Sequence, residues 1–177
     1  MRIGLAGTSL GRLSDPAGIA VDPDDNLYVV DPGHNRVQKF DSETGRFLNA
    51  FGGAGTQDGR FSAPRAVAVD EDDHVIVADT GNHRVQVFTL FGAWVRTLGS
   101  AGAGDGQFNG PTGVAADSEG RVYVTDSGND RVQEWTNTGT FLTSFGTTGS
   151  GKGKFHGPSG VATNAVDDVV VTDAGNH

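Results

Sequence analysis

Cysteine is absent from this chain of 177 residues, which excludes disulfide bonds, thiol catalysis and cysteine-based zinc sites. Basic residues are also few, with 13 Lys and Arg against 22 Asp and Glu, and the formal net charge is −9. Because nucleic-acid affinity rests on Lys and Arg contacts to phosphate, nonspecific binding to nucleic acid or to an anionic membrane is disfavoured. No apolar run approaches the length of a membrane span. None of these absences fixes the compartment in which the protein works.

What the chain does contain is glycine, at 28 positions, and a repeat. The stretch Asp79-Thr-Gly-Asn-His-Arg84-Val-Gln recurs with small changes from Asp31 and from Asp126, and a fourth copy, from Asp173, stops at His177. The four aspartates are 48, 47 and 47 residues apart. A fixed period in this range predicts an array of identical supersecondary units, in which the glycines mark turns.

Four short strands are predicted in each unit, without any helical periodicity. The second strand, for example Val75–Ala78, is apolar on both faces, so both sides of its sheet must be covered. A single antiparallel meander cannot bury two faces alone, whereas meanders stacked face to face can. The fold class predicted is therefore all-β, a β-propeller with four-stranded antiparallel blades.

The spaced motifs resemble the NHL repeat. They are Pro-x-Gly-Val-Ala-Val-Asp, then Asp-x-Gly-Asn-x-Arg-Val-Gln-x-Phe, then Phe-Gly, and the resemblance covers essentially the whole chain. It implies a propeller that usually has six blades. A six-bladed ring needs roughly 280 residues at this period, so we expect an incomplete propeller, a piece of a longer protein. The alternative is an open array that self-associates through its exposed end blades.

We expect three complete repeats and parts of two more within this single partial propeller. Residues 1–15 form the end of a preceding repeat, because Ile3-Gly-Leu-Ala-Gly7 aligns with Phe51-Gly-Gly-Ala-Gly55. The complete repeats are 16–63, 64–110 and 111–157, and 158–177 is a truncated repeat.

The Asp-x-Gly-Asn-x-Arg motif is predicted to be structural rather than catalytic. Its Arg can bridge to its Asp across the mouth of a hairpin, where a guanidinium fork suits bidentate contact. The glycine is expected to supply a positive φ in a tight turn. The structural residues are Asp31, Arg36, Asp79, Arg84, Asp126 and Arg131, with Gly33, Gly81 and Gly128.

No cofactor or metal site is predicted, although calcium and zinc both stay open. The acidic stretch from Asp70 to His74 has spacing near that of a calcium loop, but it lacks the loop's glycine and its final glutamate, and polar turns account for it. His34, His83 and His177 lie in equivalent loops of different repeats. Such loops are held well apart, whereas zinc needs ligands at about 2.0–2.2 Å.

Residues that depart from the repeat are the candidates for binding, because architecture does not explain them. Those on the rim formed by the motif loops and the connections between repeats are His34, Arg65, His83, Asn109, Thr112, Asp130, His156 and Ser159. The function predicted is a non-catalytic scaffold whose rim binds a protein or a small ligand. The alternatives are a metal-dependent lyase or lactonase-like hydrolase completed by further blades, and an RNA-binding NHL domain, which the net charge disfavours.

Overall fold

Each repeat folds into one antiparallel meander, which we call a blade. The computed structural model describes residues 3–176. Its strands, ordered from the inner to the outer edge of each sheet, are Ile19–Val21, Asn26–Asp31, Arg36–Asp41 and Phe47–Gly52 in blade 1; Ala66–Val69, His74–Asp79, Arg84–Thr89 and Trp94–Leu98 in blade 2; Pro111–Ala116, Arg121–Asp126, Arg131–Thr136 and Phe141–Phe145 in blade 3; and Pro158–Thr163 with Val169–Asp173 in blade 4. The predicted all-β fold with four-stranded antiparallel blades is confirmed.

Short segments connect each outer strand to the next inner strand. Two of these connections contain parallel strand pairs, and the two others have single bridges, Ala54 with Phe61 and Thr148 with Phe155. The motif between the second and third strands forms one turn of 3-10 helix. The paired strands are Leu5–Ala6 with Arg12–Leu13 and Ser100–Ala101 with Gln107–Phe108, and the 3-10 turns are Pro32–His34, Thr80–Asn82 and Ser127–Asn129.

The inner strands of successive blades lie side by side around the propeller axis. Small residues near the start of each inner strand permit this approach. A Cβ on Gly18 would lie 2.8 Å from the Cα of Ala66, and one on Gly113 would lie 3.1 Å from the Cα of Gly160. The recurring Gly or Ala of the repeat is therefore a packing requirement.

Apolar side chains fill the spaces between blades. Tyr28, Val30 and Val37 of blade 1 pack against Val75 and Val77 of blade 2. A second cluster joins blade 2 to blade 3, and a third joins the N-terminal segment to blade 1 through Leu13, Val29 and Phe40. In blades 1 to 3 the second strand is covered on both faces, as its sequence predicts. No helix among residues 3–176 is long and apolar enough to cross a bilayer.

Candidate binding rim

The alternating strand directions give the propeller two different rims. We call the side with the 3-10 turns and the connections between blades the loop rim, and the opposite side the turn rim. All eight sequence-predicted binding residues belong to segments of the loop rim.

The motif aspartate is the centre of a saturated hydrogen-bond network. In blade 2 the Asp79 carboxylate is fully buried. Its Oδ2 accepts from Arg84 Nε at 2.8 Å and from Asn82 Nδ2 at 2.9 Å, while its Oδ1 accepts from the backbone N–H of Ser62 at 2.7 Å. The network therefore fastens the hairpin to the connection that enters the same blade.

The Asp–Arg bridge is confirmed in all three complete blades. The Arg Nε to Asp Oδ2 distance is 2.9 Å for Arg36 with Asp31 and 2.8 Å for Arg131 with Asp126. The bidentate contact that a guanidinium fork suits is not formed, because the guanidinium donates elsewhere. Arg84 Nη2 donates to the carbonyl oxygens of Gln57 at 2.7 Å and Arg60 at 3.0 Å. The Arg thus holds the connection as well as the Asp.

A buried glutamine completes the network, and the sequence analysis assigned it no role. Gln86 Nε2 donates to Asp79 Oδ2 at 3.0 Å and to the carbonyl of Arg60 at 2.7 Å, and its Oε1 accepts from Gly59 N at 2.9 Å. Gln38 and Gln133 make the equivalent bonds and are equally buried. The available indication was a glutamine that recurs at the same position of the third strand in all three complete repeats.

The expected positive φ at the motif glycines is wrong. Gly33, Gly81 and Gly128 are not in the left-handed region, and the positive φ falls two residues later, at Asn35, His83 and Asp130 (51° to 53°). The glycines are required for space instead. A Cβ on Gly81 would lie 2.8 Å from the carbonyl oxygen of Ser62, and the Cβ positions of Gly33 and Gly128 meet the same obstacle.

Two predicted rim residues, His83 and Asp130, have a positive φ, and their side chains accept hydrogen bonds from the segment that enters the next blade. His83 Nδ1 accepts from the backbone N–H of Gly110 at 3.0 Å, so this nitrogen carries no proton in the contact. Asp130 Oδ1 accepts from Gly157 N at 2.8 Å. That hydrogen bond, with a further one from Thr148, outweighs slight burial and lowers the pKa of Asp130.

The side chains of three other predicted rim residues also contact neighbouring residues of the propeller. His34 Nδ1 lies 2.9 Å from Asp31 Oδ2, in the place that Asn82 occupies in blade 2. Asn109 Nδ2 donates to the carbonyl of Gly128 at 3.1 Å, and Thr112 Oγ1 donates to the carbonyl of Ser159 at 3.0 Å.

Arg65, His156 and Ser159 remain exposed. Within residues 3–176 the side chains of Arg65 and His156 make no hydrogen bond, and Ser159 Oγ contacts only Thr172 Oγ1, at 3.0 Å. Arg65 and Ser159 occupy equivalent positions of the repeat, near the start of an inner strand. Of the eight candidates, Arg65 and His156 are thus the two whose side chains are exposed and make no hydrogen bond within residues 3–176.

The acidic stretches considered for calcium are turns on the opposite rim. Asp70 is buried, and its Oδ1 accepts from the backbone N–H groups of Asp72 at 3.1 Å and His74 at 2.8 Å. Asp73 adopts a φ of 61° to complete the turn. Among residues 3–176, no three His, Asp or Glu side chains are grouped to hold a metal ion. His177 lies outside the described residues.

Charge is distributed unequally between the rims. The turn rim carries most of the exposed acidic side chains, including Asp24, Asp25, Glu71, Asp72, Asp73, Glu119 and Asp168. The loop rim exposes a mixture, with Arg12, Arg60, Arg65, Lys152 and Lys154 beside Asp15, Asp58 and Asp105. The net charge of −9 is therefore mainly a property of the turn rim.

A family model for the NHL repeat matches residues 13–40, 61–88 and 108–135. Each match extends from the connection into the blade as far as the aromatic residue of the third strand, and so includes the Asp, Arg and Gln network. The chain contains NHL repeats. It forms a partial β-propeller, and the number of blades in a complete ring stays a prediction.

Solved structures show the same fold. A streptogramin B lyase is 16% identical with a TM-score of 0.67, and the match covers 91% of this chain and 49% of that one. A nidogen–laminin complex is 21% identical with a TM-score of 0.70, covering 90% and 57%. Virginiamycin B lyase from Staphylococcus aureus is 16% identical with a TM-score of 0.68, covering 97% and 52%.

The NHL chain thus spans about half the length of these structural neighbours. At such low identity the similarity shows the fold alone, and the activities named for the neighbours remain theirs. A search of curated proteins finds no match.

Proposed function

We propose that the NHL chain is a non-catalytic scaffold that binds a protein or small ligand on its loop rim. The observation that carries this proposal is the division of the rim's polar side chains into two groups. The repeated ones are occupied by bonds that hold the blades together. Arg65, His156 and Ser159 are exposed and depart from the repeat.

Other blades have different residue types at the positions equivalent to Arg65 and His156. Arg65 takes the place of Ala17 and Thr112, and His156 that of Ser62 and Asn109. Architecture therefore does not require an arginine or a histidine at these points. An exposed Arg suits a partner that offers carboxylates or carbonyl oxygens.

Site-specific photo-crosslinking in the source cells tests the proposal. A photoreactive amino acid at position 65 or 156 is expected to trap a discrete partner. The same amino acid at position 71 or 73, on the exposed turn rim, is the matched control and is expected to trap none. Equal trapping at both rims, or trapping only at the turn rim, would contradict the assignment of the loop rim.

The enzyme alternative requires reactive groups that converge on one point. Among residues 3–176 the free side chains of the loop rim include one imidazole, that of His156, and a lyase or hydrolase site would need further groups from other blades. Elemental analysis of the purified chain discriminates between the two functions. Stoichiometric zinc or calcium that survives dialysis would favour the enzyme, and its absence together with the crosslinked partner would favour the scaffold.

The RNA-binding alternative needs a test of the loop rim itself, because most of the excess negative charge lies on the turn rim. Net charge alone therefore does not describe the electrostatic field at the loop rim. We expect no binding of a single-stranded RNA at 50 mM salt. Binding that weakens steeply between 50 and 200 mM salt, and that Arg65→Ala reduces, would overturn the protein-scaffold proposal.

A further inference from the structure

The connection between blades 3 and 4 differs in charge from the other connections of the propeller. It carries Lys152, Lys154 and His156 at alternate positions, and we call these three residues the basic strip. The chain has three lysines, and the third, Lys39, has a side chain that is 12% exposed and is paired with Asp22 at 2.8 Å. Both lysines that are exposed to solvent therefore lie on one connection of the loop rim.

The equivalent position in other blades shows that a lysine at position 152 is not a requirement of the repeat. Asp58 and Asp105 stand in the place of Lys152. They pair with the motif arginines of their own blades, at 3.3 Å for Arg84 and 4.0 Å for Arg131. A lysine reverses the charge at this point and cannot make the same pair.

The exposure of the basic strip follows from its place in the repeat. Asp105 is exposed although blade 3 is complete. Arg60, at the position of Lys154, is exposed in the connection that enters blade 2. Asn109, at the position of His156, is exposed in the connection that enters blade 3. Side chains at these three positions therefore face solvent in blades that have all four strands.

Local structure positions two members of the basic strip before any partner binds. The stem of Lys154 lies across Gly149, where a Cβ would come within 2.6 Å of Lys154 Cδ. The backbone of His156 is held on both sides, because its N–H donates to Asp173 Oδ1 at 2.8 Å and its carbonyl oxygen accepts from Gly175 N at 2.8 Å. Groups that are already positioned lose less conformational entropy on binding.

The positive charge of the basic strip is not neutralised by ion pairs. Asp130 interacts electrostatically with His156, but its two carboxylate oxygens already accept hydrogen bonds from Gly157 N at 2.8 Å and from Thr148 Oγ1 at 2.7 Å. Within residues 3–176 neither exposed lysine forms an ion pair. The two ammonium groups therefore stay available to an anionic partner.

We propose that the basic strip binds a short acidic segment, rich in Asp and Glu, of the partner protein. This inference rests on the proposed function, since His156 is one of the free side chains of the loop rim. Carboxylates complement the two ammonium groups, and such complementarity fixes the register of a partner and speeds its association. The segment is short because the net charge of −9 repels a long polyanion beyond the basic strip.

Phosphate is the other anion that a lysine in a glycine-rich loop suggests. Such loops hold phosphate at the N-terminus of the helix that follows them. This connection leads instead into the strand Pro158–Thr163. Carboxylate is therefore the anion that the local structure favours.

The test is fluorescence anisotropy of a fluorescein-labelled hexaglutamate peptide with the purified 177-residue chain. We expect binding at about 50 mM salt that weakens towards about 200 mM, because salt screens the charges of an exposed site. The triple variant Lys152→Asp, Lys154→Gln and His156→Asn should bind at least about 10-fold more weakly. It introduces the residue types that already occupy these positions in the connection to blade 3, and far-UV circular dichroism verifies its folding.

Arg60→Gln is the matched control for the triple variant. Arg60 is an exposed basic side chain at the position of Lys154, but it lies in a connection that also carries Asp58, and its Nη1 donates to the carbonyl of Gly52 at 2.8 Å. The affinity of this variant for hexaglutamate should stay within about twofold of wild type. No binding by wild type at about 50 mM salt, or equal losses in Arg60→Gln and the triple variant, would overturn the proposal.

A single-stranded RNA octamer tests the other class of polyanion. Binding of the RNA more tightly than of hexaglutamate, lost in the triple variant, would assign the basic strip to nucleic acid and overturn the proposal. The acidic segment and the proposed function can fail separately. A partner trapped at position 65 by a chain that does not bind hexaglutamate would refute only the acidic segment, whereas hexaglutamate binding by a chain that traps no partner would refute only the scaffold.

Discussion

At the scale of single residues, Gly81 gives the clearest example of a side chain that the fold forbids. A Cβ there would lie 2.8 Å from the Ser62 carbonyl oxygen, and moving this oxygen away would disturb the hydrogen bond that it accepts from Gly81 N at 2.8 Å. We expect Gly81→Ala to lower the free energy of unfolding by about 1–3 kcal/mol, measured by urea denaturation.

Gly151→Ala is the matched control for that measurement. Gly151 lies in the connection between blades 3 and 4, without a positive φ, and its Cβ would meet nothing nearer than Lys154 Cδ at 3.9 Å. Its effect is expected to stay within about 0.5 kcal/mol. Equal losses at the two positions would show that crowding is not what selects glycine in the motif.

The motif also shows how far single residues could be predicted. The bridge between Asp79 and Arg84 follows from their placement on either side of the turn, at the end of the second strand and the start of the third strand. Because glycine adopts a positive φ without cost, the sequence predicts this conformation at Gly81. In the structure His83 adopts it, and Gly81 is needed to avoid a clash. The partner that causes the clash, Ser62, is distant in sequence, so local pattern cannot reveal it.

At the scale of elements, the turns between the first and second strands depend on a buried carboxylate. Burial alone would raise the pKa of Asp117, but hydrogen bonds from the Arg121 backbone and guanidinium and from the Tyr123 hydroxyl outweigh it, so this pKa lies below 3.8. A lowered folded-state pKa contributes stability above the unfolded-state value, and that contribution is lost as pH falls through the folded-state pKa.

Asp117→Asn is therefore expected to reduce the acid sensitivity of the fold. Asparagine occupies the equivalent position 164 in blade 4, so the turn tolerates it. The measurement is the free energy of unfolding between pH 5 and pH 2, which should fall less steeply in the variant than in wild type. Asp24→Asn, on the exposed part of the equivalent turn in blade 1, should leave the slope unchanged, and a similar effect of both would refute this role of Asp117.

Tyr123, whose hydroxyl donates to Asp117, makes stability depend on pH in the alkaline range as well. Burial, then the nearby Asp117 carboxylate, raises the pKa of Tyr123 to about 12. The pKa of Tyr28 is raised as well, again mainly by burial. Tyrosinate absorbance at 295 nm should therefore be lower in the folded chain than in the unfolded chain at pH 10.

Because the folded-state pKa is raised, the contribution of Tyr123 to stability is present below the unfolded-state value of about 10 and is lost between pH 10 and 12. Tyr123→Phe should flatten this alkaline loss while retaining the titration of Tyr28. Ionisation of both tyrosines near pH 10 in the folded chain would contradict the buried environment of the two hydroxyls.

At the scale of the whole molecule, stability resides in the junctions between blades. Ile76 and Val170 occupy the same position of the repeat, but Ile76 is fully buried in a junction and Val170 is 59% exposed. We expect Ile76→Ala to cost about 2–5 kcal/mol, and Val170→Ala about 0.5 kcal/mol or less, in urea denaturation at a concentration where the chain is monomeric. Similar costs would mean that strands rather than junctions carry the stability.

The sequence predicts this architecture well and the binding rim only in part. The period and the two-sided apolar second strand are sufficient for stacked blades. The free side chains were harder to identify, since the bonds of His83 and Asp130 to Gly110 and Gly157 run to the next blade. The sequence predicts that such residues lie on the rim, but it does not show that their side chains are hydrogen-bonded to the next blade.

If the loop rim is divided into an occupied framework and free side chains, two of its arginines should contribute very differently to stability. Arg84 is fixed by a buried carboxylate and two carbonyl groups, whereas Arg65 is exposed without a side-chain hydrogen bond inside residues 3–176. The measurement is the urea unfolding free energy of Arg84→Ala beside Arg65→Ala. We predict a loss of about 3 kcal/mol for the first and no change beyond about 0.5 kcal/mol for the second. An unchanged Arg84→Ala, or an equal loss in Arg65→Ala, would contradict the division.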